Sequence, residues 1–121
     1  MARKIEKIGS TKTMRALSLW HGVTAAALKE MPLDLSARQT AVLLHIYLES
    51  PPHSIKSLAE ELDISKPAIC RAVDVLEAAK FVKRTADKQD GRNILIARTA
   101  KGTKYLNEFA GLIMSVSKKA A

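Results

Sequence analysis

Lys66, Pro67, Cys70, Arg71 and Asp74 follow one another at steps of one and three residues, and Ile69, Val73 and Leu76 fill positions between and after them. On a helix those steps put the polar set on one side and the apolar set on the other. Such a face suits charge and hydrogen-bond chemistry. The Arg71 guanidinium carries five N–H donors in a planar fork that matches a phosphate or the edge of a guanine, and Lys66 adds a compact point charge. A second cationic group, Lys83, Arg84, Lys88 and Arg92, gathers around Gly91. The plain alternative for both groups is a solvated surface whose charges only guard against aggregation.

Other chemistries find little support. His21, His45 and His53 are far apart in sequence and carry no cysteine or acidic ligand pattern, so no metal site is expected. His21 reads as a packing residue, with the lining of a ligand cleft as its other reading. There is no glycine-rich phosphate loop, no suggestive carboxylate pair and no nucleophile with a recognisable base. An enzyme is not expected, nor a cofactor. Cys70 is the only cysteine, so no internal disulfide forms. Its place beside Arg71 is the setting of an oxidant sensor; the simpler reading is a small inert side chain.

Composition narrows the partner. Lys and Arg number 20 against 12 Asp and Glu, a net charge of +8 on 121 residues. That excess favours a polyanion, because each phosphate neutralised releases a condensed counterion. Hydrophobic residues make up 47% and aromatics only 4%, so Leu, Ile, Val and Ala must fill the core, as helical domains often manage. No run approaches the ~20 apolar residues of a membrane span. The start, Met1-Ala2-Arg3-Lys4, is basic without a following apolar stretch, so no signal peptide is expected and the cytoplasm is the expected compartment.

The elements that must hold these residues follow from periodicity. Residues 1–12 read as a basic flexible arm. A helix is expected over 13–31, with Leu17, Trp20, Thr24, Ala27, Leu28 and Met31 as its stripe and Pro32 as its stop. Ser36 with Gln39 makes a capping box for a second helix, whose inner face is Val42, Leu43, Ile46 and Tyr47. Ser50-Pro51-Pro52 ends it. Two short helices are expected over 56–62 and 66–79, then extended segments over 81–85 and 93–98 around the polar turn Asp87-Lys88-Gln89-Asp90-Gly91. Thr99 caps a last helix over 100–118, with Tyr105, Phe109, Leu112, Ile113 and Val116 on one face.

The two short helices have the pattern of a helix-turn-helix. Ala59 is small where the helices cross, Leu58 and Leu62 face inward, and Ile64 plugs the turn. Asp63 suits a left-handed turn position better than most residues. Ser65 caps the second helix, and Lys66 and Pro67 stand in its first turn. A β-ribbon directly after that helix is shaped to lie along an adjacent backbone or groove, with Arg92 beside Gly91 at its tip. The fold class is therefore mainly α with a small β-hairpin wing: a winged helix-turn-helix with N- and C-terminal helices packing together. The expected division is the arm, then one domain over 13–121.

From 35 to 102 the chain resembles the MarR family of bacterial winged-helix regulators. Leu58-Ala59-Glu60-Glu61-Leu62 is similar to the first helix of that family's motif. Arg71, Asp74, Leu76 and Glu77 match its R-x-x-D-x-L-E, Asp87, Asp90 and Arg92 its wing signature D-x-x-D-x-R, and Thr99 to Gly102 its T-x-K-G. The resemblance implies that Arg92 enters a minor groove and that Asp90 helps fix the geometry of the wing. It also implies a homodimer joined through the terminal helices, 13–31 and 100–118. The chain differs from the family in having Cys70 where Thr or Ser is common, Lys80 where glycine usually ends the helix, and one helix after the wing.

The expected function is sequence-specific binding of double-stranded DNA by a homodimeric transcription regulator, most simply a repressor. The DNA-binding set is Lys56, Ser65, Lys66, Pro67, Cys70, Arg71, Lys83, Lys88 and Arg92, with Asp90 structuring the wing. A small-molecule effector is left open, with no feature pointing to one. Two rivals stand beside this reading: a winged-helix module that binds another regulator or polymerase, and an architectural protein that coats DNA without sequence preference.

Overall fold

Hydroxyl caps decide where the helices of this chain begin. The computed structural model describes residues 8–120, and the expected arm falls largely outside them. Ser10 caps α1 (Thr11–Glu30) by accepting from the Thr13 N–H, so the helix starts two residues before the expected position. At α2 (Ala37–Leu48), Ser36 and Gln39 bond reciprocally at 3.1 and 2.9 Å, the capping box read from sequence. Ser54 and Ser57 do the same for α3 (Ile55–Leu62), at 3.0 and 2.9 Å. Ser65 caps α4 (Lys66–Ala78), and Thr99 caps α5 (Ala100–Ala120) by accepting from the Gly102 N–H at 2.9 Å. With no breaker after 118, α5 runs to Ala120.

Between α4 and α5 stand β1 (Val82–Ala86) and β2 (Ile94–Arg98), antiparallel, with Val82 opposite Arg98 and Ala86 opposite Ile94. Each strand begins one residue later than expected; β1 also ends one later, while β2 ends where expected. Phe81 takes part instead in the close of α4: its N–H reaches the Leu76 carbonyl while Lys80 N–H reaches Glu77, both at 2.9 Å. This is a Schellman closure with Lys80 in the left-handed position, φ 66°. Asp63 takes the same conformation in the α3–α4 turn, φ 52° and ψ 48°.

Two compact units divide the chain. The first, Leu35–Asn107, holds the helix-turn-helix and the wing. Its core is Val42, Leu43 and Ile46 of α2, Leu58 of α3, Ala68, Ile69, Ala72, Val73 and Leu76 of α4, then Phe81, Val82, Ile96 and Tyr105. Each large aliphatic side chain buried this way contributes roughly 1.5–3 kcal/mol. Ala68 and Ala72 are the inner-face residues that periodicity alone did not pick out. Phe81 stacks on Tyr105 with ring centroids 4.3 Å apart.

The Tyr47 hydroxyl ties this core together. It donates to the Phe81 carbonyl at 2.7 Å and accepts from the Thr99 N–H at 3.0 Å. Gly102 lies so close that a Cβ there would meet the Tyr47 oxygen at 1.9 Å and the Phe81 carbonyl oxygen at 2.3 Å. The glycine of T-x-K-G is thus set by close approach, at an ordinary φ. Arg98 closes the end of α2, donating to the carbonyls of Ile46 and Glu49, each at 2.9 Å. Those last-turn carbonyls have no partner inside the helix.

The second unit comprises residues 8–34 and 108–120. Here α1 and α5 approach so closely that a Cβ on Gly22 would stand 2.7 Å from Val116 Cγ1. Val23 and Leu112 are buried. The stripe expected on α1 is mostly in solvent: Leu17 is 47% exposed, Trp20 66% and Leu28 65%. Periodicity finds the apolar face of a helix without saying what covers it.

Candidate nucleic-acid interface

Burial of Ile69, Ala72, Val73 and Leu76 fixes which side of α4 is turned inward. Lys66, Pro67, Arg71 and Asp74 are left exposed, and Cys70 is half-buried between the two faces. At the leading end, the Ser65 side-chain oxygen accepts from the Ala68 N–H at 3.3 Å and so is occupied with the cap. Pro67 has no N–H and those of Ala68 and Ile69 are bonded to Ser65, so it is the helix dipole and the Lys66 charge that make this end favourable to an anion. Lys56 stands exposed in the first turn of α3.

The wing is locked to α4 by Arg84, one of the four cations that cluster around Gly91 in the sequence. Arg84 Nη1 donates to Glu77 at 2.6 Å, and Nη2 to Asp74 at 2.7 Å. The Arg84 backbone N–H donates to the other Glu77 oxygen at 2.9 Å. These backbone and side-chain bonds from Arg84 hold the Glu77 carboxyl below the ordinary glutamate value of 4.5. Burial pulls the Arg84 guanidinium down, but the bonds to Asp74 and Glu77 outweigh it and leave its pKa raised. Alternation along β1 explains the division of labour. Side chains of successive residues point to opposite faces, so Arg84 turns back to α4 while Lys83 stays exposed. Asp74, exposed on the outer face of α4, is therefore part of this clamp.

At the wing tip, two aspartates shape the turn. Asp87 accepts from the Gln89 N–H at 2.9 Å and Asp90 from the Arg92 N–H at 3.1 Å. The Arg92 Nε also lies 3.5 Å from Asp90, yet its side chain is 94% exposed. Lys88 is exposed in the same turn. Among the described residues, Lys56, Lys66, Arg71, Lys83 and Lys88 make no ion pair. One compact unit thus presents a helix with a free arginine, a hairpin braced against that helix, and a tip arginine projecting into solvent.

Sequence separation had argued against a metal site, but the fold gathers two of the three histidines. His45 of α2 bonds through Nε2 to Glu61 of α3, and the His45 and His53 rings meet edge to face with centroids 5.8 Å apart.

A sequence model of the MarR family matches residues 33–93, which span the helix-turn-helix and most of the wing. Among solved structures, a mutant of S. aureus MepR bound to an oligodeoxyribonucleotide is 20% identical, with 93% of this chain and 82% of that chain covered and a TM-score of 0.77. The transcriptional regulator Tm0710 from Thermotoga maritima is 23% identical over 89% of this chain and 75% of that one, with a TM-score of 0.72. YusO from Bacillus subtilis is 18% identical at the same coverages, with a TM-score of 0.73. At these identities the likeness is one of fold, and it bears out the mainly helical winged architecture. No helix among the described residues is long and apolar enough to cross a membrane.

Proposed function

Because the chain belongs to the MarR family, we propose that it is a transcription regulator that binds specific double-stranded DNA as a homodimer and acts as a repressor. The observation that carries this reading is the pairing of an exposed, unpaired Arg71 on α4 with a wing whose own arginine, Arg84, is spent on bracing it to that helix. The α4 face would enter the major groove, where Arg71 can make a bidentate contact to a guanine, with Lys66, Pro67 and the half-buried Cys70 at the leading edge. Lys56, Lys83 and Lys88 would neutralise phosphate along with Lys66, and the positive dipole end of α4, capped by Ser65, would favour a phosphate beside Lys66. Arg92, held at its base by Asp90, would reach into the minor groove, where a narrow groove concentrates negative potential. The net charge of +8 and the DNA-bound state of the structurally similar MepR support the same partner. No step in this account is enzymatic.

The dimer is supported by what α1 and α5 leave in solvent. Met14, Leu17, Trp20 and Leu28 on α1, with Ile113 and Met114 on α5, are 39–66% exposed. Large apolar side chains left exposed on both terminal helices are available to an association surface. A two-fold dimer reads two half-sites about one turn, ~10 bp, apart.

The test is fluorescence anisotropy of the purified protein on duplex DNA from upstream of its own gene and on a scrambled duplex, over a salt series. Expected is an affinity that falls steeply with salt and is at least ~10³-fold tighter on the upstream duplex. Equal affinity for both would favour an architectural role, and binding without salt dependence would favour a protein partner.

A further inference from the structure

His45 lies near the end of α2, His53 in the segment between α2 and α3, and Glu61 near the end of α3. One ligand atom from each lies within 4.8 Å of the other two. His53 is 2% exposed, and its position is fixed twice. Its carbonyl accepts from the Ile96 N–H at 2.8 Å, and its Nε2 stands 3.2 Å from the Glu49 carbonyl oxygen. A carbonyl only accepts, so Nε2 donates, and a neutral ring in this orientation offers its lone pair at Nδ1. Donation of one ring N–H to a backbone carbonyl is the way metal-ligating histidines are usually oriented.

We propose that His45, His53 and Glu61 form a binding site for a divalent transition ion of the zinc type. Two imidazoles and a carboxylate suit Zn2+, with water completing four-coordination. Zinc bonds of about 2.0–2.2 Å set the ligand atoms of a tetrahedral site about 3.4 Å apart. The present ligand atoms lie within 4.8 Å of one another, so the side chains would adjust as an ion binds, and Glu61, whose side chain is 52% exposed, is the freest of them to move. Zinc takes neutral imidazole and carboxylate ligands, so ion binding competes with protons and weakens as pH falls. A bound ion would join α2, the segment before α3 and α3 itself, and would stabilise the unit that carries the helix-turn-helix. A buried histidine that only packs, beside an ordinary His45–Glu61 pair, would bind no ion.

The test uses the full chain, stripped with chelator, titrated calorimetrically with Zn2+ and followed with Co2+ by its visible ligand-field absorption. One saturable Zn2+ per chain, a raised Tm and tetrahedral-type Co2+ bands are expected. Glu61→Gln and His45→Gln should each weaken binding by at least about tenfold, since even outer-shell partners of a ligand are worth 10–100-fold, and His21→Gln should leave it unchanged. Glu61 is half exposed, so its variant should keep the wild-type circular dichroism and report on the site itself. Absence of saturable binding, binding that survives both substitutions, or binding lost with His21→Gln would overturn the proposal. No arm contains DNA, so the outcome is independent of the proposed regulatory function.

Discussion

Arg84 grips Glu77 twice, through its guanidinium at 2.6 Å and through its own backbone N–H at 2.9 Å. This double contact makes the first strand of the wing an extension of α4, so the two DNA-facing groups of the proposed interface keep one geometry. Such pairs are worth little when isolated on a surface, but here the backbone bond and the second carboxylate of Asp74 join in one network. Arg84→Met should therefore lower Tm by only about 2–5 °C while weakening DNA binding more than loss of one surface charge would. Exchange of the backbone amide at position 84 should also accelerate in this variant. A variant that binds DNA as tightly as wild type would show that the clamp has no part in recognition.

The same contact makes a prediction about pH. Glu77 is held below its ordinary value of 4.5 by Arg84, so its contribution to stability is complete above that value and is lost as pH falls through the lower, folded-state value. The difference in Tm between wild type and Glu77→Gln should be constant from about pH 8 to 5.5 and shrink in more acid solution. A difference that grows in acid would contradict the sign.

Gly102 has no room for a side chain. Gly102→Ala should destabilise the protein by about 1–3 kcal/mol, because the methyl group meets the Phe81 backbone as well as the Tyr47 hydroxyl. Tyr47→Phe removes only the hydroxyl and should cost about 1–2 kcal/mol through the partners it leaves unmet. Urea unfolding of both variants ranks them; a neutral Gly102→Ala would mean that the α5 start has slack.

Lys80 is the reverse case. At φ 66° a side chain is strained and glycine is not, so Lys80→Gly should stabilise by about 0.5–1 kcal/mol after its larger entropy loss on folding is counted. The same urea experiment reads it, and a loss of stability would show that the Lys80 side chain does more than tolerate the turn.

Much of this was legible in the sequence because local chemistry fixed it. The Ser36–Gln39 box, the Thr99 cap and the left-handed Asp63 each depend on residues within three or four positions. Ile69, Val73 and Leu76 on the inner face of α4 followed from the helical period, whereas Ala68 and Ala72 did not. Legibility failed where a partner comes from far along the chain. Arg84 read as one more wing cation because nothing local links it to Asp74 and Glu77. Arg98 gave no sign that it would close α2, and His45 and His53 no sign that they would meet Glu61. On α1, period alone could not say that Trp20 would remain in solvent.

The proposed recognition rests most directly on Arg71 and Arg92, and anisotropy of Arg71→Ala and Arg92→Ala on the preferred and scrambled duplexes tests it. Loss of a bidentate base contact costs about 1–3 kcal/mol, roughly 5- to 150-fold in Kd. Arg71→Ala should lose that much on the preferred duplex and far less on the scrambled one, with Arg92→Ala lowering affinity for narrow-groove sequence. Unchanged affinity of both variants on both duplexes would contradict the assignment of α4 and the wing as the reading surfaces.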